Sequence, residues 1–251
     1  MKNFFNRYGL ILFFPLTYLL SWWIVPLLNG GLFPQGPAFA AFILVALTAG
    51  RQGLRAYWRQ ITNWRAGWWY LVAPLIVIGY EGIAFVLSLM SGAKLAGLPH
   101  LSMGTFMMLV LFGGQWEELG WTGYALPRLR ERFANRSNGS LIAVLVLGVF
   151  RALWHLPLFL YGKMDWFDIF IFSFSFQIII AWLYDRSGES VPVVVTLHFV
   201  SNIMGAAMPF VFLGADQVMF RFLFVAVASI FALMLVAFPQ FKVQQQKAEA
   251  M

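Results

Sequence analysis

The chain has 251 residues, of which 61% are hydrophobic and only 11% are charged, and its formal net charge is +7. A soluble globule of this length needs more polar side chains to cover its surface, so the composition indicates a lipid environment. The absence of cysteine excludes disulfides, thiolate metal sites and a cysteine nucleophile. The basic residues lie in short gaps between apolar runs, where they orient helices and meet anionic lipid, so no nucleic-acid partner is indicated.

The first apolar run covers residues 10–28 and follows two basic residues, Lys2 and Arg7. A secretory signal has the same order of charged and apolar segments, but it is shorter than this run. The run is followed by the sequence NGG, which does not resemble a small-residue cleavage site. We therefore expect a retained first transmembrane helix.

Seven further apolar runs follow, and most are near the length of about 20 residues that crosses a bilayer. They predict helices at about 37–50, 68–90, 104–126, 141–161, 166–185, 191–213 and 218–239. The sequence contains no internal repeat and no linker long enough to separate two domains. It therefore predicts an all-α polytopic membrane helix bundle with about eight transmembrane helices, forming a single transmembrane domain over residues 1–251.

The distribution of Lys and Arg predicts the orientation of these helices, because cytoplasmic loops concentrate both residue types. Cations cluster before the first span, between the second and third, and between the fourth and fifth, at Lys2, Arg7, Arg51, Arg55, Arg59, Arg65, Arg128, Arg130, Arg132 and Arg136. The alternate gaps contain little beyond Lys94, Lys163 and Arg221. We expect a multi-pass protein of the cell membrane with both termini cytoplasmic. Lys242 and Lys247, which follow the last predicted span, are consistent with a cytoplasmic C-terminus.

Four places within the apolar spans carry polar side chains, which are costly inside a bilayer and are retained when they are paired or used. They are Glu117-Glu118 on the fourth span, Arg151 with His155 on the fifth, His198 with Asn202 on the seventh, and Glu81 alone on the third. Residues four apart share a helix face. Arg151 and His155 should therefore point to the same side of their helix, and so should His198 and Asn202. The adjacent glutamates diverge by about 100°, so one can face a central site while the other braces helix packing.

These residue types suit hydrolysis. A desolvated carboxylate can take a proton from water, and a neighbouring imidazole can hold or relay that proton. A second histidine and an asparagine can donate hydrogen bonds to the oxyanion that forms on an attacked amide carbonyl. The signatures of other hydrolases are missing from the sequence, which has neither an HExxH pair nor a GxSxG elbow.

The run WEELGWTGYALPRL, the run LWHLPLF and the later HxxxN pattern resemble the CPBP family of intramembrane proteases. That family includes the type II CAAX prenyl endopeptidases and bacterial Abi-type proteins related to lysostaphin resistance and bacteriocin immunity. The resemblance covers about residues 115–202 and places a CAAX-protease-like core at about 104–213. It implies an intramembrane endopeptidase whose substrate is a peptide or membrane protein, with or without a prenylated C-terminus.

The resemblance also implies a role for each candidate residue. Glu117 is the water-activating carboxylate, Glu118 its partner, His155 the second group that activates water, and His198 with Asn202 the oxyanion stabilisers. The family mechanism is argued both as glutamate-dependent and as metal-dependent, and Glu117, His155 and His198 could make a three-ligand zinc site. We expect the catalytic groups to surround one buried polar cavity that water reaches from the cytoplasmic side.

Two positions depart from the family pattern. EExxxR places arginine where this chain has Thr122, and FxxxH places phenylalanine where it has Arg151. We hypothesise that Arg151 supplies the missing guanidinium by pairing with Glu118 or Glu117, since the short loop between their spans makes the two helices neighbours. The alternative is a degenerate relative with weak or no activity.

Three interpretations stay open beside the catalytic one. The chain could be a non-catalytic membrane scaffold or a bacteriocin-immunity-type protein, or, less favoured, a transporter in which Glu81 joins the site residues in an ion pathway. Glu81 on its own is better explained as a structural carboxylate bonded to a neighbouring helix. Gly113-Gly114, Gly120 and Gly123 are interpreted first as close helix contacts.

Overall fold

The computed structural model describes residues 2–237, and all regular secondary structure in that range is helical. The α-helices are α1 (Lys2–Trp22), α2 (Gly36–Ile61), α3 (Trp69–Met90), α4 (Met103–Phe112), α5 (Glu118–Gly120), α6 (Leu126–Phe133), α7 (Gly139–Trp154), α8 (Leu156–Leu160), α9 (Ser173–Arg186), α10 (Val191–Ala207) and α11 (Gly214–Ala237). Short 3₁₀ turns lie at Gly114–Glu117 and Met208–Phe210, and π-helical turns at Trp121–Ala125 and Asp168–Phe172.

Five helical stretches of the described chain are long and apolar enough to cross a membrane. They are α2, α3, Asp168–Arg186, Val191–Phe210 and α11, and α7 is a shorter apolar helix. The chain is therefore an all-helical, multi-pass membrane protein. The predicted spans at 68–90, 166–185 and 191–213 each correspond to one of these stretches. The end of the predicted span at 218–239 lies outside the described residues, as do Lys242 and Lys247.

The second predicted span ends where the hydropathy falls, but α2 continues for another three turns. Gly50 interrupts its helical geometry with φ 60° and ψ −151°, a conformation that favours glycine, and the chain bends there. The residues beyond the bend carry Arg51, Arg55 and Arg59 and stay helical, because arginine is a good helix former. The cationic segment predicted as a loop is therefore mostly a helical extension of α2.

The continuous fourth span predicted over 104–126 is wrong, because the chain breaks into short segments there. Gly113 ends α4 in an extended conformation, with φ −73° and ψ 160°. Two adjacent glycines lose more conformational freedom in a helix than other residues do, which favours a break at this point. The chain then continues through the 3₁₀ turn, α5, the π-helical turn and α6. Because of this interruption, the directions in which Glu117 and Glu118 point are not set by the helix geometry of α4.

The connections between helices fall at two ends of the bundle. The start of α1 and the connections 62–68, 134–138 and 187–190 form the arginine-rich end, where Ser190 Oγ donates to the carbonyl of Asn63 at 2.9 Å. The connections 23–35, 91–102 and 161–167 form the cation-poor end. There, Lys163 Nζ donates to the carbonyl of Leu28 at 3.0 Å. The two ends therefore differ strongly in positive charge.

Tight packing at the centre of the bundle holds the fourth-span segments in place. Trp121 is fully buried between the ring of Phe13, at 5.3 Å, and that of Trp154, at 6.3 Å between centroids. Gly120 lies against the backbone of Pro37, and a Cβ at Gly123 would lie 3.0 Å from Ile61 Cγ2. The prediction that Gly120 and Gly123 mark close helix contacts is confirmed.

Candidate active site

Glu118 lies at the centre of a fully buried ionic cluster. Its Oε1 atom is 2.8 Å from Arg151 Nη1 and 2.7 Å from His198 Nδ1. Its Oε2 atom accepts from Arg151 Nη2 at 3.0 Å and from Thr122 Oγ1 at 2.5 Å. Each carboxylate oxygen therefore has two partners, which compensates for burying the charge.

Local geometry explains why these partners meet. Thr122 follows Glu118 by four residues, so its hydroxyl lies beside the carboxylate on the same side of the chain. Arg151 lies in the last turn of α7, is 1% exposed, and reaches Glu118 from the neighbouring helix. The predicted pairing of Arg151 with a glutamate of the preceding span is confirmed. Thr122 and Arg151 contact the same carboxylate. This supports the hypothesis that Arg151 supplies the positive charge that the family pattern places at position 122.

Glu117 has very different surroundings, although it is also buried. Trp121 Nε1 donates to its Oε2 atom at 3.3 Å. None of the ion pairs formed within residues 2–237 includes Glu117. Its side chain faces a cavity of about 320 Å³ rather than a counter-ion. Of the two adjacent glutamates, Glu117 is therefore the one that faces the cavity without an ion-pair partner in the described part of the chain.

The cavity brings together most of the predicted site residues. Its polar lining includes Glu117, Arg151, His155, His198 and Asn202, together with the backbone of Gly114. Its apolar lining comes from Leu32, Pro34, Phe112, Trp154, Leu158, Met164, Phe172 and Phe176. Glu118 lies behind His198 and supports the site without facing the cavity. The side chains are thus arranged as a small polar pocket with apolar walls, which is typical of ligand sites.

His155 is oriented by the end of α7. Its Nδ1 atom lies 2.8 Å from the carbonyl oxygen of Arg151, and because a carbonyl can only accept, Nδ1 carries the proton. The ring also packs edge-on against Trp154, with 4.8 Å between centroids. In the neutral imidazole, Nε2 is then left with a lone pair that can accept a proton from water.

His198 and Asn202 lie one turn apart on α10 and face the turn at Gly113-Gly114. His198 donates from Nδ1 to Glu118, so its Nε2 atom is directed at Gly114. In the orientation that satisfies both its amide groups, Asn202 accepts at Oδ1 from the backbone N–H of Gly114 at 3.1 Å and of Gln115 at 3.3 Å.

Gly114 lies beside two of the candidate site residues, a placement that the sequence interpretation missed. A Cβ at this residue would lie 2.8 Å from Glu117 Oε1 and 2.9 Å from His198 Nε2. The missing side chain therefore lets both groups approach the backbone of Gly114 closely. The signal in the sequence was the glycine pair directly before Gln115, which was interpreted as a helix contact.

The zinc site that the sequence allowed is not assembled by these side chains. Over residues 2–237, no group of three or more His, Cys, Asp or Glu residues is placed to hold a metal ion. Glu117, His155 and His198 share the cavity, but they do not form a three-ligand set.

Glu81 lies in a second cavity, of about 430 Å³, beside the first. The two cavities share Met164, Phe172, Ser201 and Asn202. Glu81 is 4% exposed, and its Oε2 atom has no hydrogen-bond partner in the described part of the chain. The interpretation of Glu81 as a carboxylate bonded to a neighbouring helix is therefore not supported at that oxygen.

The active-site cavity is lined in part by residues of two connections at the cation-poor end. Leu32 and Pro34 belong to the connection between α1 and α2, and Met164 belongs to the connection that follows α8. His155, which follows the last residue of α7 at the same end, also lines the cavity. The expectation that water reaches the site from the cytoplasmic side stays a prediction.

Residues 99–204 match the family described as type II CAAX prenyl endopeptidase Rce1-like. The match contains every predicted catalytic and supporting residue. A curated relative is CAAX prenyl protease 2 of Methanococcus maripaludis, which is 24% identical over 152 residues, covering 53% of each chain. The alignment thus spans about half the length of that relative. The resemblance noted in the sequence is confirmed over residues 99–204, which are similar to the Rce1-like type II CAAX prenyl endopeptidases, a family of peptide-bond hydrolases.

Proposed function

We propose that this chain is an intramembrane endopeptidase that hydrolyses a peptide bond with water activated by Glu117. The observation that carries the proposal is the contrast between the two adjacent glutamates. Glu118 has four polar contacts and is held in place, whereas Glu117 forms no ion pair within residues 2–237 and faces a cavity with two imidazoles. A carboxylate in this position can act as a general base.

In the proposed reaction, water lies between Glu117 and Nε2 of His155. Glu117 takes a proton as the water oxygen attacks the carbonyl carbon, and the carbonyl oxygen becomes an oxyanion. When the tetrahedral intermediate collapses, the carbon–nitrogen bond breaks and Glu117 returns the proton to the leaving amine. His155 orients the water through its lone pair.

The oxyanion is stabilised by donors on α10. Asn202 donates from Nδ2. Nε2 of His198 can donate only when the imidazole is protonated, because its Nδ1 proton is already committed to Glu118. The carboxylate of Glu118 stabilises that imidazolium. Losing one such donor typically costs about 3 kcal/mol of transition-state stabilisation.

Eight membrane crossings with both termini cytoplasmic are part of the proposal. The five long stretches and α7 account for six crossings, and α1 and the interrupted segment from α4 to α6 would supply the other two. Reporter fusions at the N-terminus and the C-terminus should both give a cytoplasmic signal. A C-terminal reporter outside the cell, with an N-terminal one inside, would require an odd number of crossings.

Hydrolysis of a peptide library in detergent tests the activity directly. The purified chain should cut an internal bond, and in H₂¹⁸O the new carboxyl end should incorporate one labelled oxygen. Gly114→Ala should lower the rate by at least about tenfold, because its methyl carbon would lie within 3 Å of Glu117 Oε1 and His198 Nε2 and displace both groups.

The matched control is Gly82→Ala on α3, where a Cβ would meet no atom within 4 Å. That variant should keep the wild-type rate. If no peptide in a diverse library is cut by the wild-type chain, the non-catalytic interpretation is favoured. If Gly114→Ala is as active as wild type, the reaction does not depend on the close approach of Glu117 and His198 to Gly114.

A further inference from the structure

We propose that a basic cavity at the arginine-rich end of the bundle binds the headgroup of an anionic phospholipid. The cavity has a volume of about 490 Å³ and lies where the start of α1, the middle of α2 and α6 come together. Its cationic lining consists of Arg7, Arg128 and Arg132. The proposal is independent of the proposed protease function, because no residue that lines this cavity also lines the cavity of Glu117.

The positive charge of this cavity is not balanced by the described residues that line it. Among them Glu131 alone is acidic, so three arginines against one glutamate leave an excess of two positive charges. None of the ion pairs formed within residues 2–237 includes Arg7, Arg128 or Arg132. Arg130, on the same helix as two of them, does form an ion pair, at 2.6 Å. A bound anion would supply the charge that the protein leaves out.

Arg128 is held in place before any ligand binds. Its guanidinium carbon lies 3.7 Å from the centroid of the Tyr124 ring, and its Nη1 atom donates to the carbonyl of Tyr124 at 3.0 Å. Tyr124 is 1% exposed and stacks on Phe13, with 5.1 Å between centroids. A guanidinium has five N–H donors, so most of those of Arg128 are left for a ligand. Because the side chain is already ordered, binding costs less conformational entropy.

The cavity is accessible from outside the protein. Arg7, Glu131 and Arg132 are exposed, and Arg128 is half-buried. These side chains come from two different helices, α1 and α6. An anion can therefore contact both helices without a change in the packing of the bundle.

The lining fits a phospholipid better than a free anion. Phe5 and Leu10 of α1, both half-buried, line the cavity beside the arginines. In a phospholipid, a phosphate group lies next to the acyl chains, so one molecule can contact the guanidinium groups and these apolar side chains together. The excess of positive charge disfavours a headgroup that carries its own cation. We therefore expect an anionic phospholipid rather than a zwitterionic one.

Binding of phosphatidylglycerol to the purified chain tests the proposal. The protein is titrated with this lipid in a neutral detergent, and the complex with one bound lipid is measured by native mass spectrometry. The double variant Arg7→Gln with Arg132→Gln removes two cations from the cavity. Its matched control is Arg55→Gln with Arg59→Gln, which removes two exposed cations of α2 that do not line the cavity.

The cavity double variant should bind phosphatidylglycerol at least about tenfold more weakly than wild type, because it loses two charge-assisted contacts to phosphate. The control should stay within about twofold of wild type, since its cations lie elsewhere. Both double variants have the same net charge, so equal losses of affinity would indicate diffuse attraction and overturn the site. Unfolding temperatures in the neutral detergent check that both variants keep the fold.

Two other ligands identify the source of the phosphate. Phosphatidylcholine should bind at least about tenfold more weakly than phosphatidylglycerol, because its headgroup has no net charge. Glycerol 3-phosphate at an equal concentration should leave phosphatidylglycerol bound, because it makes no apolar contact. Equal binding of phosphatidylcholine would overturn the selection by charge. Displacement by glycerol 3-phosphate would show a site for small anions instead of a lipid site.

Arg128→Lys tests the role of the guanidinium group. Lysine keeps the positive charge but lacks the planar pair of donors that matches a phosphate. The variant should bind phosphatidylglycerol more weakly than wild type, while the unfolding temperature in neutral detergent reports any loss of stability separately. Wild-type affinity in Arg128→Lys would contradict recognition of the phosphate by an ordered guanidinium.

Discussion

Arg151→Ala should lower the free energy of unfolding by about 3–5 kcal/mol, because it leaves the fully buried carboxylate of Glu118 without its guanidinium. Thr122→Ala should cost only about 1.5 kcal/mol, since it removes one neutral donor from the same carboxylate. Both values can be measured by equilibrium unfolding in mixed micelles. The difference between the two losses of unfolding free energy shows how much more the charged partner Arg151 stabilises the buried carboxylate than the neutral partner Thr122 does.

Arg130→Ala is the matched control for this prediction. Arg130 also pairs with a carboxylate, Asp185, at 2.6 Å, but that pair is partly exposed at the arginine-rich end. Its loss should cost about 1 kcal/mol. If Arg151→Ala is no more destabilising than Arg130→Ala, the buried cluster does not depend on the guanidinium.

A double variant tests whether Arg151 replaces the arginine of the family pattern. Thr122→Arg introduces a guanidinium at the position whose side chain contacts Glu118 Oε2 in the wild type. Arg151→Phe removes the second contact to that oxygen and restores the phenylalanine of the family pattern. The double variant should be more stable than Arg151→Phe alone by at least half of the original loss. If both are equally unstable, the two positions are not interchangeable, and the interpretation of a degenerate relative gains support.

The residue pairs could be predicted from the sequence because their spacing fixes a shared helix face. His198 and Asn202 do lie on one side of α10, and Arg151 and His155 both line the cavity. The partner of Arg151 was also predictable, because a buried arginine needs an anion and Glu118 is on the preceding segment. These inferences used only local geometry and the cost of burying charge.

The break at Gly113 was not predictable in the same way. Glycines and apolar residues continue through 104–126, so a hydropathy pattern cannot distinguish one long helix from a chain of short segments. The break and the end of α7 at Trp154 set the positions of Glu117 and His155 along the bundle.

The arrangement of the cavities also bears on the transporter alternative. An ion pathway needs polar groups that continue from one side of the membrane to the other. Both cavities that Asn202 lines lie toward the cation-poor end, and the buried residues of α10 beyond His198 include Val193, Val194 and Leu197. Apolar packing on that side of the site fits a hydrolase better than a transporter.

Glu117→Gln should reduce kcat by about 10²- to 10⁴-fold, because an amide cannot accept the proton of the attacking water. The fold should be preserved, since Glu117 takes part in no ion pair within residues 2–237 and a glutamine oxygen can still accept from Trp121 Nε1. Glu118→Gln should instead destabilise the protein, because it leaves Arg151 buried without its carboxylate. Peptide cleavage and unfolding, measured on both variants, separate the two roles. Normal cleavage by Glu117→Gln, with a stable but inactive Glu118→Gln, would mean that Glu118 is the base and that Glu117 is the supporting carboxylate.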